Sequence, residues 1–344
     1  MHTISPAKIE GIIRHVVLKM REPVIFIGPS GAGKTAVVDQ AAERLGALCH
    51  HTLLGQYDTV DMKGTPWVSD GADGYQSTVW HPASTLPFKG NPRFPTDKPI
   101  ILFLDELTSA TVPVMGVCYQ LVNERRVGEH ELMDNVYIVC AGNRESDKGI
   151  VNRMPMPLCN RMTWYEVGVD ADALCYHGQE RGWSPVTLAF LQFRKVLVHT
   201  FDPAKPDKTF ASPRTWEKAD AYFRDDMPID IKQASMAGAV GDGPAAEFWG
   251  FNDSWMEIAK LMPSIRKDPL TAKVPESAAL RYAVTVACSG EMSKATTTTY
   301  APYLLRLDPE FAVLAWQLGV RRDKDLLKTL EFSTFVKKYK TLWG

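Results

Sequence analysis

The sequence lacks any long hydrophobic run. Its longest apolar stretches are the size of a strand, such as Ile100–Leu104, whereas a bilayer needs a helix of about 20 apolar residues. The N-terminal segment MHTISPAKIE has no basic stretch followed by an apolar one, so we expect no secretory signal. We therefore expect a cytoplasmic protein without a membrane partner.

The sequence also lacks paired metal ligands and an excess of charge. Its six cysteines include no C-x-x-C pair, and several lie in apolar runs, which predicts reduced, buried thiols instead of disulfides or a metal site. The eight histidines show no ligand cluster, and His50 and His51 are interpreted as structural. The net charge of −1 gives no global attraction to nucleic acid, although a local basic stripe stays open.

A glycine-rich loop is the most informative feature that is present. The segment GPSGAGKT, residues 28–35, follows the apolar run Val24–Ile27 and precedes Ala36–Leu45, which is apolar at helical spacing. Strand, loop and helix in this order predict a phosphate-binding loop for ATP or GTP. Lys34 is expected to reach the β- and γ-phosphates, and the Thr35 hydroxyl to ligate Mg²⁺. The predicted nucleotide contacts are Gly28, Pro29, Ser30, Gly31, Ala32, Gly33, Lys34, Thr35 and Ala36.

Two further apolar strands end in polar side chains. The run Ile100–Leu104 ends in Asp105 and Glu106, and two acids at the end of a buried strand need a cation or water beside them. We expect Asp105 to hold Mg²⁺ and Glu106 to activate the attacking water. Asn143 follows the run Val136–Cys140; it is either a turn residue or a group that positions the water or the γ-phosphate.

These motifs carry a family resemblance. GPSGAGKT, ILFLDE and CAGN resemble the Walker A, Walker B and sensor 1 motifs of AAA+ ATPases. The segments DMKGTPWV, LVNERRVGEHEL, AGNRESDKG, MPLCNRM and ASPRTWEKA are similar to the MoxR-type branch, the CbbQ-, NorQ- and GvpN-like ATPases of the dynein-related, helix-2-insert clade. The resemblance runs from about residue 20 to about residue 220 and continues more loosely beyond.

The resemblance implies an α/β fold and an assembly. Residues 1–170 would form the P-loop AAA+ core, a parallel sheet flanked by helices, with a helix-2 insert around residues 55–99. Residues 171–264 would form an all-helical lid, and residues 265–344 a helical C-terminal extension. ATP and Mg²⁺ are the implied cofactors, and a homo-oligomer, in this family a hexameric ring, is the implied state. ATP over GTP rests on the resemblance, because phosphate loops do not read the base.

The resemblance also assigns two arginines. Arg161, in PLCNRM, matches the arginine finger that enters a neighbouring subunit's site, and Arg214, in SPRTW, matches sensor 2 at the start of a lid helix. A planar guanidinium suits the charge that spreads in phosphoryl transfer. Taken alone, each arginine is also explained as a surface salt-bridge partner.

Two hairpins are predicted between these motifs. Thr65–Trp80 has turn residues between two arms that bear aromatics, and Trp67, Tyr75 and Trp80 either grip a substrate chain in a ring's pore or cover the core. Arg126–Leu132 resembles the hairpin before sensor 1. Arg125 and Arg126 either face an interface or pore, or complement the dipole of the preceding helix.

The second half is predicted to be helical. Helices are expected at Asp172–Arg181, Val186–His199, from Ser212 onward, Ala278–Cys288, Pro309–Leu318 and Asp325–Leu342. The polar run Thr296–Thr299 predicts a loop, and Trp316 and Phe335 are interpreted as core residues.

Three functions are compatible with such a motor. The first is an ATP-driven chaperone that remodels a separate protein client or adaptor; in the MoxR-type branch the partner typically bears a von Willebrand factor A-like domain. The second is a nucleic-acid motor of the MCM or McrB kind, which the balanced charge disfavours. The third is a nucleotide-gated scaffold, against which the acid pair Asp105 and Glu106 argues.

Overall fold

A computed structural model of the protein describes residues 3–70, 76–147, 152–205 and 207–339. The chain divides into two compact units. The first is Met1–Leu174 with His199–Lys208 and Ser212–Thr215; the second is Cys175–Val198, Thr209–Ala211 and Trp216–Gly344. The division predicted at residue 265 therefore lies inside the second unit.

The centre of the first unit is a six-stranded parallel sheet with strand order β1-β10-β2-β9-β6-β3. The strands are β1 (Thr3–Ile4), β2 (Val24–Ile27), β3 (Leu48–Leu53), β4 (Thr65–Asp70), β5 (Gln76–His81), β6 (Ile100–Asp105), β7 (Arg126–Val127), β8 (His130–Glu131), β9 (Val136–Gly142) and β10 (Thr163–Val167). The three predicted strands are β2, β9 and β6, which are neighbours in the sheet. The predicted α/β class, a parallel sheet flanked by helices, is confirmed.

The sheet has a hydrophobic core on each face. Alternate side chains of one strand point to opposite faces, so Ile25 and Leu102 join one core while Phe26 and Phe103 join the other. Strands buried on both faces carry apolar residues at every position, as β2 does. The helices of this unit are α1 (Ile9–Ile12), α2 (Lys34–Arg44), α3 (Thr59–Lys63), α4 (Val112–Glu124) and α5 (Met156–Cys159).

The second unit is helical, as predicted. Its helices are α7 (Pro185–Phe193), α9 (Ile229–Val240), α10 (Asp242–Lys267), α11 (Ala278–Glu291), α12 (Thr297–Leu304), α13 (Pro309–Arg322) and α14 (Leu330–Lys338), while α6 (Ala171–Glu180) and α8 (Pro213–Arg224) begin in the first unit. Trp316 and Phe335 stack in its core with ring centroids 5.5 Å apart. The loop predicted at Thr296–Thr299 is wrong, because Thr297 is buried and begins α12.

Strands β4 and β5 form the predicted antiparallel hairpin, a two-stranded sheet of its own. Trp67 is 65% exposed and Trp80 is 37% exposed, so Trp67 lies largely in solvent whereas most of Trp80 is covered. Tyr75 lies outside the described residues. Gly64 enters the hairpin at φ 85°, where a Cβ would lie 1.8 Å from the His81 carbonyl oxygen, so this position requires glycine.

Strands β7 and β8 form the second predicted hairpin. Arg125 precedes it in a left-handed conformation, φ 55°. Its Nη2 donates hydrogen bonds to the carbonyls of Met133 and Val136 at 3.1 and 2.9 Å. Arg126 pairs with Glu124 at 2.7 Å. Both arginines are thus held by their own chain.

Cys118, Cys140, Cys175 and Cys288 are buried, as the apolar runs predict. The sequence shows no ligand cluster among the histidines, but the fold brings one histidine close to a cysteine and an aspartate. His51 and Cys49 lie on β3 beside Asp39 of α2, with ligand atoms within 4.8 Å of one another. The cluster is invisible to sequence spacing because a helix and a strand supply it.

Among the described helices, none combines the length and the apolar composition that crossing a bilayer requires.

Candidate nucleotide site

The glycine-rich loop joins the end of β2 to the start of α2. Gly31 and Gly33 have φ values of 75° and 85°, a region that disfavours residues with a Cβ. At Gly28, a Cβ would lie 2.5 Å from the Val167 carbonyl oxygen of β10. The three glycines are therefore fixed by backbone geometry, and the loop ends where helix α2 presents its N-terminal N–H groups, which favour anions.

Lys34 lies beneath this loop and is only 8% exposed. Its Nζ donates to the carbonyls of Gly28 and Pro29 at 2.8 and 3.0 Å and to Asn143 Oδ1 at 3.2 Å. Burial lowers the pKa of Lys34 to about 8, against the opposing attraction of Asp105. The ammonium group is desolvated and is poised to gain from phosphate oxygens.

Thr35 and Asp105 form the second contact of the site. Thr35 Oγ1 donates to Asp105 Oδ2 at 2.7 Å, and the Glu106 N–H donates to Asp105 Oδ1 at 2.8 Å. A hydroxyl and a carboxylate side by side are hard oxygen ligands, which Mg²⁺ prefers. The two residues predicted to hold magnesium are therefore adjacent and fit that ion.

Glu106 has a left-handed backbone with φ 54°. Such a conformation costs a non-glycine residue roughly 1–2 kcal/mol, and strain of this kind is typical of functional sites. Its carboxylate lies against Gly55, where a Cβ would come within 2.9 Å of Glu106 Oε2. The Asp105 carboxylate accepts from Thr35, whereas the Glu106 carboxylate lies against Gly55. The two acids can therefore have different roles.

Asn143 comes from the neighbouring strand β9. Its Oδ1 accepts from Lys34 and its backbone N–H donates to Thr108 Oγ1 at 2.9 Å. Thr108 also packs against Gly142, where a Cβ would lie 2.6 Å from its Cγ2. Asn143 is thus held between Lys34 and Thr108, and its part in positioning the water or the γ-phosphate stays a prediction.

Arg214 is brought to the phosphate loop by the start of α8. Its backbone N–H donates to the Gly31 carbonyl at 3.4 Å, and Ser212 packs so closely that a Cβ on Gly31 would lie 2.8 Å from Ser212 Oγ. The exposed guanidinium contributes a small lowering of the Lys34 pKa. The start of α8 therefore lies against the phosphate loop, and the sensor 2 role of Arg214 stays a prediction.

Arg161 is the one predicted site residue that the fold holds away from the loop. It precedes β10, whose first residue Thr163 pairs with Val24, the first residue of β2. The phosphate loop begins after Ile27, so the length of β2, about 10 Å at 3.3 Å per residue, separates the two edges. The guanidinium instead donates to Asn123 Oδ1 at 2.5 Å.

Sequence reasoning missed three residues near the loop. Arg144 and Asp147 affect the pKa of Lys34 in opposite directions, and Arg144 pairs with Glu166 at 3.3 Å. His199 Nε2 lies 3.1 Å from the Ser30 carbonyl oxygen, and burial lowers its pKa. Arg144 and Asp147 stand in the segment AGNRESDKG beside Asn143, but His199 is 169 positions from Ser30 and carries no local signal.

A family model matches the part of the chain that holds this site. Residues 23–162 match the family model of the AAA domain, dynein-related subfamily. No curated protein matches the chain significantly. A solved structure of NtrX from Brucella abortus in complex with ADP is 14% identical, covers 98% of this chain and 68% of NtrX, and gives a TM-score of 0.39. A RuvB mutant from Thermotoga maritima is 17% identical over 88% of each chain, with a TM-score of 0.39. The family match spans β2 to α5 and includes the phosphate loop, Asp105 and Asn143.

The lowered pKa of Lys34 predicts that nucleotide binding takes up a proton in alkaline solution. The free protein loses the Lys34 proton as the pH rises through about 8, whereas bound phosphates favour the charged form. ADP affinity without metal should therefore fall as pH rises above this value, by up to about tenfold per pH unit. Calorimetry at about pH 8.5 in two buffers of different ionisation enthalpy measures the uptake directly.

The matched control is Lys34→Arg, whose guanidinium stays charged at every working pH. Any residual binding by this variant should show no proton uptake and no alkaline loss of affinity. Equal proton uptake by both proteins, or none by the natural one, would contradict the assignment.

Proposed function

We propose that this chain, whose core is an AAA+ ATPase domain that binds nucleotide, uses ATP hydrolysis to remodel or activate a separate protein partner, as MoxR-type ATPases do. The observation that carries the choice of a protein client is the hairpin of β4 and β5. Its apolar side chains Trp67, Val68, Val79 and Trp80 are exposed.

The hairpin's composition favours a polypeptide over a nucleic acid. Residues 65–81 read TPWVSDGADGYQSTVWH and contain two aspartates but neither lysine nor arginine. Nucleic-acid binding draws its affinity from cations that neutralise phosphates, and this surface offers none. Exposed aromatic and branched side chains suit the apolar and backbone surfaces of an extended or partly unfolded chain.

The chemistry of hydrolysis is assigned to residues already brought together. Lys34 and the loop N–H groups would hold the phosphates, and Thr35 and Asp105 would hold Mg²⁺, which would neutralise developing charge on the phosphate oxygens. Glu106 orients and deprotonates the attacking water, and Asn143, fixed through Thr108, positions the water or the γ-phosphate. Arg214 contributes a second cation at the loop.

The position of Arg161 supports an oligomer. An arginine finger must reach the γ-phosphate, yet Arg161 lies at the opposite edge of its own sheet from the phosphate loop. It is exposed on the surface, where a neighbouring copy's nucleotide can meet it. We therefore propose a closed homo-oligomer, hexameric by resemblance, in which each site is completed by the next subunit.

Complementation between two inactive variants tests this assembly. Arg161→Ala should bind nucleotide normally and lose roughly 10³-fold in turnover, and Glu106→Gln should be equally inactive because it lacks the base. Mixing the two restores interfaces that combine Glu106 of one subunit with Arg161 of another. We expect a steady-state ATPase assay of the mixture to recover a substantial fraction of the natural rate.

The control is Arg153→Ala, which removes another exposed arginine from the loop before α5. It should turn over ATP at the natural rate alone. An Arg161→Ala protein that is fully active, or a mixture that stays inactive although the two variants co-assemble, would refute the finger.

A trapping experiment identifies the client. Glu106→Gln should retain nucleotide and the assembly while blocking hydrolysis, so that a client captured with ATP and Mg²⁺ in the native host stays bound. We expect recovery of one polypeptide that is released when ADP replaces ATP. In the double variant Glu106→Gln with Trp67→Ala, capture should fall at least severalfold, because the more exposed tryptophan of the hairpin is gone.

Each other outcome of the trap has a defined meaning. Recovery of nuclease-sensitive DNA or RNA would replace the proposal with a nucleic-acid motor. Undiminished capture by the Trp67→Ala double variant would keep the protein client but remove the hairpin from its recognition.

A further inference from the structure

Three side chains with metal-binding atoms meet between α2 and β3. Asp39 lies on the helix, and Cys49 and His51 lie two residues apart on the strand, hence on the same face. Their ligand atoms are all within 4.8 Å of one another, and His51 Nε2 lies 2.6 Å from Asp39 Oδ1. The His51 ring is held edge-on against Phe103, with centroids 5.3 Å apart.

We propose that Asp39, Cys49 and His51 form a binding site for a transition-metal dication, with Zn²⁺ the ion that the donor set fits best. Thiolate, imidazole and carboxylate are the three ligand types of protein zinc sites. Three protein ligands leave one position of a tetrahedron for water. The site is separate from the Thr35 and Asp105 pair, whose oxygen ligands suit Mg²⁺.

The distances need only a small adjustment. Bonds of about 2.0 Å to nitrogen and oxygen and about 2.3 Å to sulfur place tetrahedral ligands roughly 3.3–3.6 Å apart. The present separations run from 2.6 Å up to no more than 4.8 Å. The side chains of His51 and Asp39 are 41% and 45% exposed, so rotation of these two can open the shortest distance while Cys49 keeps its place.

The charges balance when the metal binds. Burial and the neighbouring Asp39 carboxylate hold the pKa of the Cys49 thiol above its usual range, so the metal-free residue is a neutral thiol. Metal entry forms the sulfur–metal bond as the thiol proton leaves to solvent. The dication then faces one thiolate, one carboxylate and a neutral imidazole, so a half-buried site carries no net charge.

The site belongs to the same helix as the nucleotide pocket. Asp39 follows Thr35 by four residues on α2, which puts the two side chains on one face of the helix. On the strand side, His51 pairs with Phe103, and Leu53 pairs with Asp105 at the carboxyl end of β6. A metal bound here would tie the first turns of α2 to β3, next to the residues that hold Mg²⁺.

Cobalt spectroscopy tests the site on the full chain without nucleotide. Metal-free, reduced protein is titrated with Co²⁺, and we expect one equivalent to give thiolate-to-cobalt charge-transfer absorption in the near ultraviolet, displaced by one equivalent of Zn²⁺. Cys49→Ser should abolish the band, and His51→Ala should weaken Co²⁺ affinity by at least about tenfold. His51 is exposed, so this second variant keeps the test informative if Cys49→Ser folds poorly.

Two variants serve as matched controls. His50→Ala removes the adjacent histidine, which faces Thr85 and Phe94, and Cys159→Ser removes the other half-buried thiol. Both should bind Co²⁺ as the natural protein does, and Zn²⁺ should raise the melting temperature of both by more than that of His51→Ala. Absence of the band in the natural protein, unchanged affinity in His51→Ala, or a band lost in Cys159→Ser would overturn the proposal.

Discussion

The ammonium group of Lys34 is buried at the carboxyl ends of neighbouring parallel strands. Its desolvation requires that the groups around it accept its hydrogen bonds or carry negative charge. Burial lowers the pKa of Lys34 to about 8, and the group is kept in place by the loop carbonyls and by Asn143. The loop above Lys34 requires glycine at position 28, because a Cβ there has no space. Asp105, which accepts a hydrogen bond from Thr35, lies close enough to offset part of the desolvation cost of the Lys34 ammonium group. A polyphosphate that enters this pocket supplies negative charge, which stabilises the desolvated Lys34 ammonium group.

Much of this site can be predicted from the sequence, because each of its motifs follows an apolar strand. Uninterrupted runs predict strands buried on both faces, and parallel strands bring their carboxyl ends to one edge. Residues 28–35, Asp105 and Asn143 therefore meet where the pattern predicts. His199 was not predictable, since its contact with Ser30 depends on how a distant segment returns to the loop. The loop predicted at Thr296–Thr299 failed for a different reason: burial of Thr297 overrides the weak helix propensity of threonine.

The metal-ligand cluster shows the same limit of sequence reasoning. Cys49 and His51 alternate with His50 along β3. Their spacing alone predicts a strand with scattered polar residues and no metal site. Asp39 completes the group only once α2 packs beside β3. Local patterns predict elements well, whereas sites built between elements depend on packing that no single segment encodes.

We propose that the nucleotide site is incomplete within a single chain, because Arg161 lies at the far edge of the sheet. Turnover per subunit measured across a wide range of protein concentration tests this most directly, with the oligomeric state followed in parallel by light scattering. We expect turnover per subunit to rise steeply with concentration and to level off as the oligomer saturates. A constant turnover per subunit, maintained where the protein is monomeric, would contradict the claim.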